Sequence, residues 1–162
     1  VIHKRRVRAL LSAGVAECVR DVQGWRSTLT SCVPAQIKIV VALHLRWPEH
    51  KIIACFEPRS NTAVTNVFQD RFADSLAVAD LVLLGAVHRA DKIPRAERIN
   101  TETMVLRIKE AGKEAKDFSE NQKMADFLES GACDQKPVLL VFFSNGSFDG
   151  VIDRVSNFMA NE

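Results

Sequence analysis

No strong charge, no cysteine pair at redox or metal spacing and no long apolar run is found in this chain, and each absence removes a class of function. Lys and Arg number 22 against 20 Asp and Glu, a formal net charge of +2, too small to argue for a nucleic-acid partner or an acidic membrane surface. Cys18, Cys32, Cys55 and Cys133 include no C-x-x-C pair, and Cys55 lies in an apolar run where a thiol acts as a small hydrophobe, so the cysteines read as reduced and structural. His3, His44, His50 and His88 are too scattered for a metal site. No stretch reaches the roughly twenty apolar residues of a membrane helix, and the first residues form no secretory signal. The cytoplasm is the expected location. The Gly-x-x-x-x-Gly-Lys-Ser/Thr loop is missing, as is any local signature of Ser-His-Asp or Cys-His catalysis.

What is present fits one domain of a soluble α/β protein: 162 residues, 47% hydrophobic and 26% charged. From residue 51 onward, short β-rich runs alternate with segments of helical period, the sign of a parallel sheet covered by helices. Strands are expected over residues 52–56, 80–87 and 138–143, with a minor one at 114–118. Helices are expected over 66–79, with Val67, Phe68, Phe72, Leu76 and Ala79 inward and Gln69, Asp70, Asp74 and Ser75 outward, then over 102–111, 119–130 and 151–159. Asn100 or Thr101, and Ser119, are N-cap candidates, and Gly112 and Gly131 are helix stops. Residues 1–50 fit less well. They carry a net charge of +5 against −3 for the remainder. A helix over 4–22 and a strand or helix over 37–45 flank a ragged polar stretch that contains Trp25.

Two strand ends carry the chemistry. The apolar run from Lys51 stops at Glu57-Pro-Arg-Ser-Asn-Thr62, and the run from Val138 stops at Ser144-Asn-Gly-Ser-Phe-Asp-Gly150. In open α/β sheets, ligands bind just past the carboxyl ends of strands. Arg59 offers a planar donor fork for a carboxylate or phosphate, and Ser60, Asn61 and Thr62 can orient a polar ligand. Ser144, Asn145 and Gly146 form a turn whose backbone N–H groups can hold an anion. His88 falls on the same sheet edge. The plainer alternative is that Pro58 ends a strand, Asn61 or Thr62 caps the next helix, and the second loop is an ordinary βα turn.

These motifs, in this order and spacing and together with the run from Gly85 to Pro94, resemble the C-terminal domain of the Mur ligases, above all the branch that recycles murein peptides. The similarity extends from about Leu45 to Phe158. It implies a Rossmann-like, mostly parallel, three-layer α/β domain that closes over a central ATP-binding domain. The implied reaction joins the murein tripeptide L-Ala-γ-D-Glu-meso-diaminopimelate to UDP-N-acetylmuramate through an acyl phosphate, with ATP and Mg2+ in the full-length enzyme and none bound by this chain alone. By motif matching, Arg59, Ser60, Asn61 and Thr62 hold the peptide carboxylate or line the closed cleft, and Ser144, Asn145 and Gly146 contact its far end. Glu57 and His88 are secondary candidates, and no catalytic residue or metal ligand is assigned.

The family also carries a strand that ends in acidic residues and a His-His-Pro-Thr run, and nothing in residues 1–44 matches it. Residues 1–43 are therefore expected to be an atypical segment from a shifted reading frame or a foreign source, with the ligase-like domain at 44–162. A standalone doubly wound binding or signalling module, or a non-functional remnant, is the competing reading. A receiver-like module would want an acidic cluster after the first strand and a Lys after the last, where this chain has Arg59 and Ser144-Asn145-Gly146.

Overall fold

The computed structural model describes residues 8–12, 33–130 and 137–160. Strand β1 (Arg8–Ser12) precedes helix α1 (Val33–Arg46), and strands and helices then alternate: β2 (Lys51–Phe56), α2 (Gln69–Leu76), β3 (Leu81–Leu84), α3 (Thr101–Glu110), β4 (Glu114–Asp117), α4 (Asn121–Glu129), β5 (Val138–Phe143) and α5 (Val151–Ala160). All the strands lie parallel in one sheet, in the order β1-β5-β2-β3-β4. The central strands β2, β3 and β5 are continuous apolar runs because both of their faces are covered.

Side chains alternate across the sheet and so build two cores. Ile52, Ala54 and Phe56 face Phe72 and Leu76 of α2 and Met104 and Ile108 of α3, with Val40 and Leu43 of α1 in the same cluster. Ile53, Cys55, Leu140 and Phe142 face Met124 and Leu128 of α4 and Val151 and Val155 of α5. Topology dictates this division. The path from β2 through β3 to β4 advances across the sheet, whereas the step from β4 to β5 runs back past β2, so right-handed crossovers put α4 on the opposite face. The chain therefore diverges at the carboxyl ends of β2 and β5, which are neighbours paired from Lys51–Val138 to Phe56–Phe143.

Helix ends follow their local chemistry. Asn100 caps α3, its side chain accepting the Thr103 N–H at 3.0 Å. Gly112, at φ +79°, ends the same helix: its N–H reaches Lys109 O and that of Lys113 reaches Ile108 O, the Schellman pattern that favours glycine. At the exposed edge, β4 buries only Ala115 and presents Glu114, Lys116 and Asp117, charges that discourage pairing with another chain.

Several expectations need correction. Residues 8–12 form a strand rather than part of a helix over 4–22, because they pair with an edge of β5 whose backbone groups would otherwise lack partners. Of the strand or helix expected over 37–45, the helix forms, within α1. Val67 is 72% exposed, since residues 66–68 wind as a tighter 3-10 turn that rotates it off the face set by α2. Ser75 is fully buried, its hydroxyl donating to Gln36 of α1 at 2.7 Å. Ser119 does not cap α4, whose N-cap position is Glu120. His44 of α1 places its Nε2 3.2 Å from Asp80 at the amino edge of the sheet. Cys18, Cys32 and Cys133, Trp25, the helix stop at Gly131 and residues 4–7 and 13–22 of the expected first helix lie outside the described residues, and Cys55 is buried. Among the described residues, no helix is long and apolar enough to cross a membrane.

Candidate functional site

Beyond Phe56 and Phe143, β2 and β5 stay in register for one more hydrogen bond, Glu57 N–H to Phe143 O at 3.0 Å. The next residue of the first strand is Pro58, which has no N–H to continue the ladder and turns the chain away. Its carbonyl accepts the His88 N–H at 2.9 Å, so the loop after β3 is tied to the loop after β2.

Glu57 turns inward, with 1% of its side chain exposed. A buried carboxylate needs donors for both oxygens. Oε2 accepts the Ser144 hydroxyl, and Oε1 accepts Asn121 Nδ2 at 3.1 Å and Arg59 Nη1 at 3.3 Å. Arg59 keeps 27% of its side chain exposed and also lies 3.7 Å from Asp149 Oδ1. Gly146 packs directly against it: a Cβ there would come within 2.6 Å of Arg59 Nε, so only glycine lets the turn and the guanidinium approach so closely.

The expected residues thus separate into two groups. Arg59 and Gly146 meet, and Glu57 and Ser144 lie bonded beneath them. Ser144 is buried, its oxygen also accepting the Gly146 N–H at 3.0 Å, so it braces the turn and is closed to attack on a substrate. Ser60 accepts the Ala63 N–H at 3.1 Å and heads its own turn. Asn61, Thr62 and Asn145 are exposed at the rim. Neither Asn61 nor Thr62 caps α2, which begins later, at Gln69. His88 lies part-buried on the same edge through its backbone bond to Pro58.

Two residues that the sequence did not single out complete the arrangement. Asn121 and Asp149 join at 2.7 Å, and Asn121 also receives the Ala86 N–H at 2.8 Å. Asp149 stands inside a motif read for its neighbours, whereas nothing local marks Asn121. The gap between the two strand ends is only about 10 Å³, bordered by Glu57, Ser60, Ser144 and Asn145, so what faces solvent there is the exposed side of Arg59 and the rim above. A larger groove, about 600 Å³, opens past β3 and β4, with Arg95, Arg98, Thr101 and Asp117 on its walls. Among the described residues, no cluster of three or more His, Cys, Asp or Glu could hold a metal ion. With one guanidinium, a braced turn and no nucleophile beside a free base, the arrangement is suited to holding a ligand.

No protein-family profile and no curated protein matches the chain. Solved structures do. A murein peptide ligase from Psychrobacter arcticus superposes with a TM-score of 0.62 at 19% identity, covering 80% of this chain and 26% of that one. A domain assigned to a UDP-N-acetylmuramate:L-alanyl-gamma-D-glutamyl-diaminopimelate ligase from Haemophilus ducreyi gives 0.54 at 15% identity, covering 79% and 84%. The UDP-N-acetylmuramate-alanine ligase MurC from Thermotoga maritima gives 0.55 at 16%, covering 81% and 25%. The chain spans about a quarter of the two long structures and most of the isolated domain. The fold of this chain is that of the C-terminal-like domain of the Mur ligases.

Proposed function

We propose that this chain is the substrate-binding C-terminal domain of an ATP-dependent amide ligase that works in the cytoplasm and joins the murein tripeptide to UDP-N-acetylmuramate in peptidoglycan recycling. The observation that carries the reading is the contact of Arg59 with the Ser144–Gly146 turn, made where the chain diverges to opposite faces of the sheet. That is the position at which doubly wound folds take ligands. Arg59 would receive a carboxylate of the peptide on its exposed side, with Asn61, Thr62 and Asn145 at the rim. The Glu-Pro-Arg-Ser-Asn-Thr and Ser-Asn-Gly motifs support the same assignment.

ATP and Mg2+ belong, on this proposal, to a central domain outside the chain, since the sequence has no phosphate loop of the Gly-x-x-x-x-Gly-Lys-Ser/Thr form. The part played by this domain is positioning: a peptide held by its carboxylate presents its amine in one direction, which lowers the barrier without a protein nucleophile. By itself the chain is expected to bind peptide and catalyse nothing.

Calorimetric titration with the tripeptide tests the reading. Replacing Arg59 with Ala should weaken binding roughly tenfold to a hundredfold, the effect of losing a charge-assisted hydrogen bond. Equal affinity in the two proteins, or no binding to either, contradicts it.

A further inference from the structure

One buried amide ties together the ends of three strands. Asn121, 4% exposed, is the first residue of α4, and its side chain turns to the strand ends. Its Oδ1 accepts the N–H of Ala86, just past β3. Its Nδ2 spends both hydrogens on carboxylates, Glu57 just past β2 and Asp149 past β5. Room has been made for it: a Cβ on Gly85 would lie 2.5 Å from Asn121 Oδ1 and 2.9 Å from the Phe148 ring.

Asp149 requires an external hold. It stands at φ +52°, between Phe148 at +55° and Gly150 at +81°, in the left-handed region that costs a non-glycine residue energy. Phe148 is anchored in the core against Phe142, and Asp149 is fixed from α4, by Asn121 through its carboxylate and by Gln122 Nε2 through its carbonyl at 2.8 Å. Two carboxylates this close to each other repel unless donors stand between them, and here the donors are the Asn121 amide and the Arg59 guanidinium.

We propose that Asn121 is the positioning residue of the crevice: by holding Glu57 and Asp149 against Arg59 it sets the direction in which the guanidinium meets a ligand. Only the peptide-binding half of the test rests on the function proposed above. In the other half, the rate at which phenylglyoxal modifies Arg59 is followed by peptide mass mapping, with Arg154 as the reference, in the wild type, Asn121→Ala and the nearly isosteric Asn121→Leu. The Arg59 rate relative to Arg154 is expected to rise about fivefold, as loss of one hydrogen bond's restraint implies. Tripeptide affinity is expected to fall roughly tenfold. An unchanged Arg59 rate, or one that rises in step with Arg154, overturns the proposal, and so does failure of both variants to fold. A wild type that ignores the tripeptide defeats the proposed function and leaves the reactivity of Arg59 to decide the role of Asn121.

Discussion

Glu57 decides the stability of the crevice, because a carboxylate removed from water is tolerated only while its oxygens are matched by donors. Its partners Arg59, Asn121 and Ser144 come from the loop after β2, the first turn of α4 and the loop after β5. Removing the hub strands all of them at once. Glu57→Ala is expected to lower the free energy of unfolding by about 3 kcal/mol, the lower part of the range for breaking a buried charged pair, since Arg59 keeps some water. Urea denaturation measures this, and a loss below about 1 kcal/mol would mean that the network is loose. At this scale the sequence was half legible. The run from Glu57 to Thr62 announces a strand end with a guanidinium, and the Ser144–Gly146 turn announces its neighbour. For Ser60 and Ser144 a loop hydroxyl reads equally as a ligand contact or as a brace for its own turn, and here their oxygens accept the backbone N–H groups of Ala63 and Gly146. Asn121 was invisible, lying 64 residues from Glu57 and 28 from Asp149, with no local pattern to mark it.

Elements with their own punctuation are legible in the sequence. The bounds of β5 emerge from an apolar run that begins after a proline, and α3 from Asn100 before it and Gly112 after it. Errors arose where tertiary contacts overrode local pattern: β1 takes its structure from β5, and Ser75 is buried because α1 supplies Gln36. A testable contact also joins elements here. Arg107 of α3 meets Asp74 of α2 with two bonds, Nε to Oδ1 at 2.6 Å and Nη2 to Oδ2 at 2.9 Å. That hydrogen bonding holds the Asp74 carboxyl below its ordinary value of 3.8 and raises Arg107 in turn. A depressed carboxylate stabilises the fold above the ordinary value and loses that contribution as pH falls through the lower, folded one. Thermal melts of the wild type and Asp74→Asn should therefore differ slightly near neutrality, the pair being well exposed, and converge below about pH 4. A gap that widens in acid contradicts the assignment.

Over the whole molecule, the reversal between β4 and β5 matters more than any single motif. It sends α2 and α5 to opposite faces and opens a crevice at the carboxyl ends of the neighbouring strands β2 and β5. The order of strand-like and helix-like segments was enough to indicate a parallel three-layer fold, and two strand ends of like design suggested a shared rim. Strand order was not legible, because an apolar run does not reveal which neighbour it pairs with. The position of β1 at the far edge, beside β5, is likewise a property of the assembled sheet. On the proposed function, the exposed side of Arg59 and the turn at Gly146 receive an acidic peptide. A 15N–1H NMR titration with the murein tripeptide tests it most directly: shifts should concentrate at residues 57–62 and 144–150 and saturate together, whereas shifts confined to the groove past β3 and β4, or none, would contradict the account.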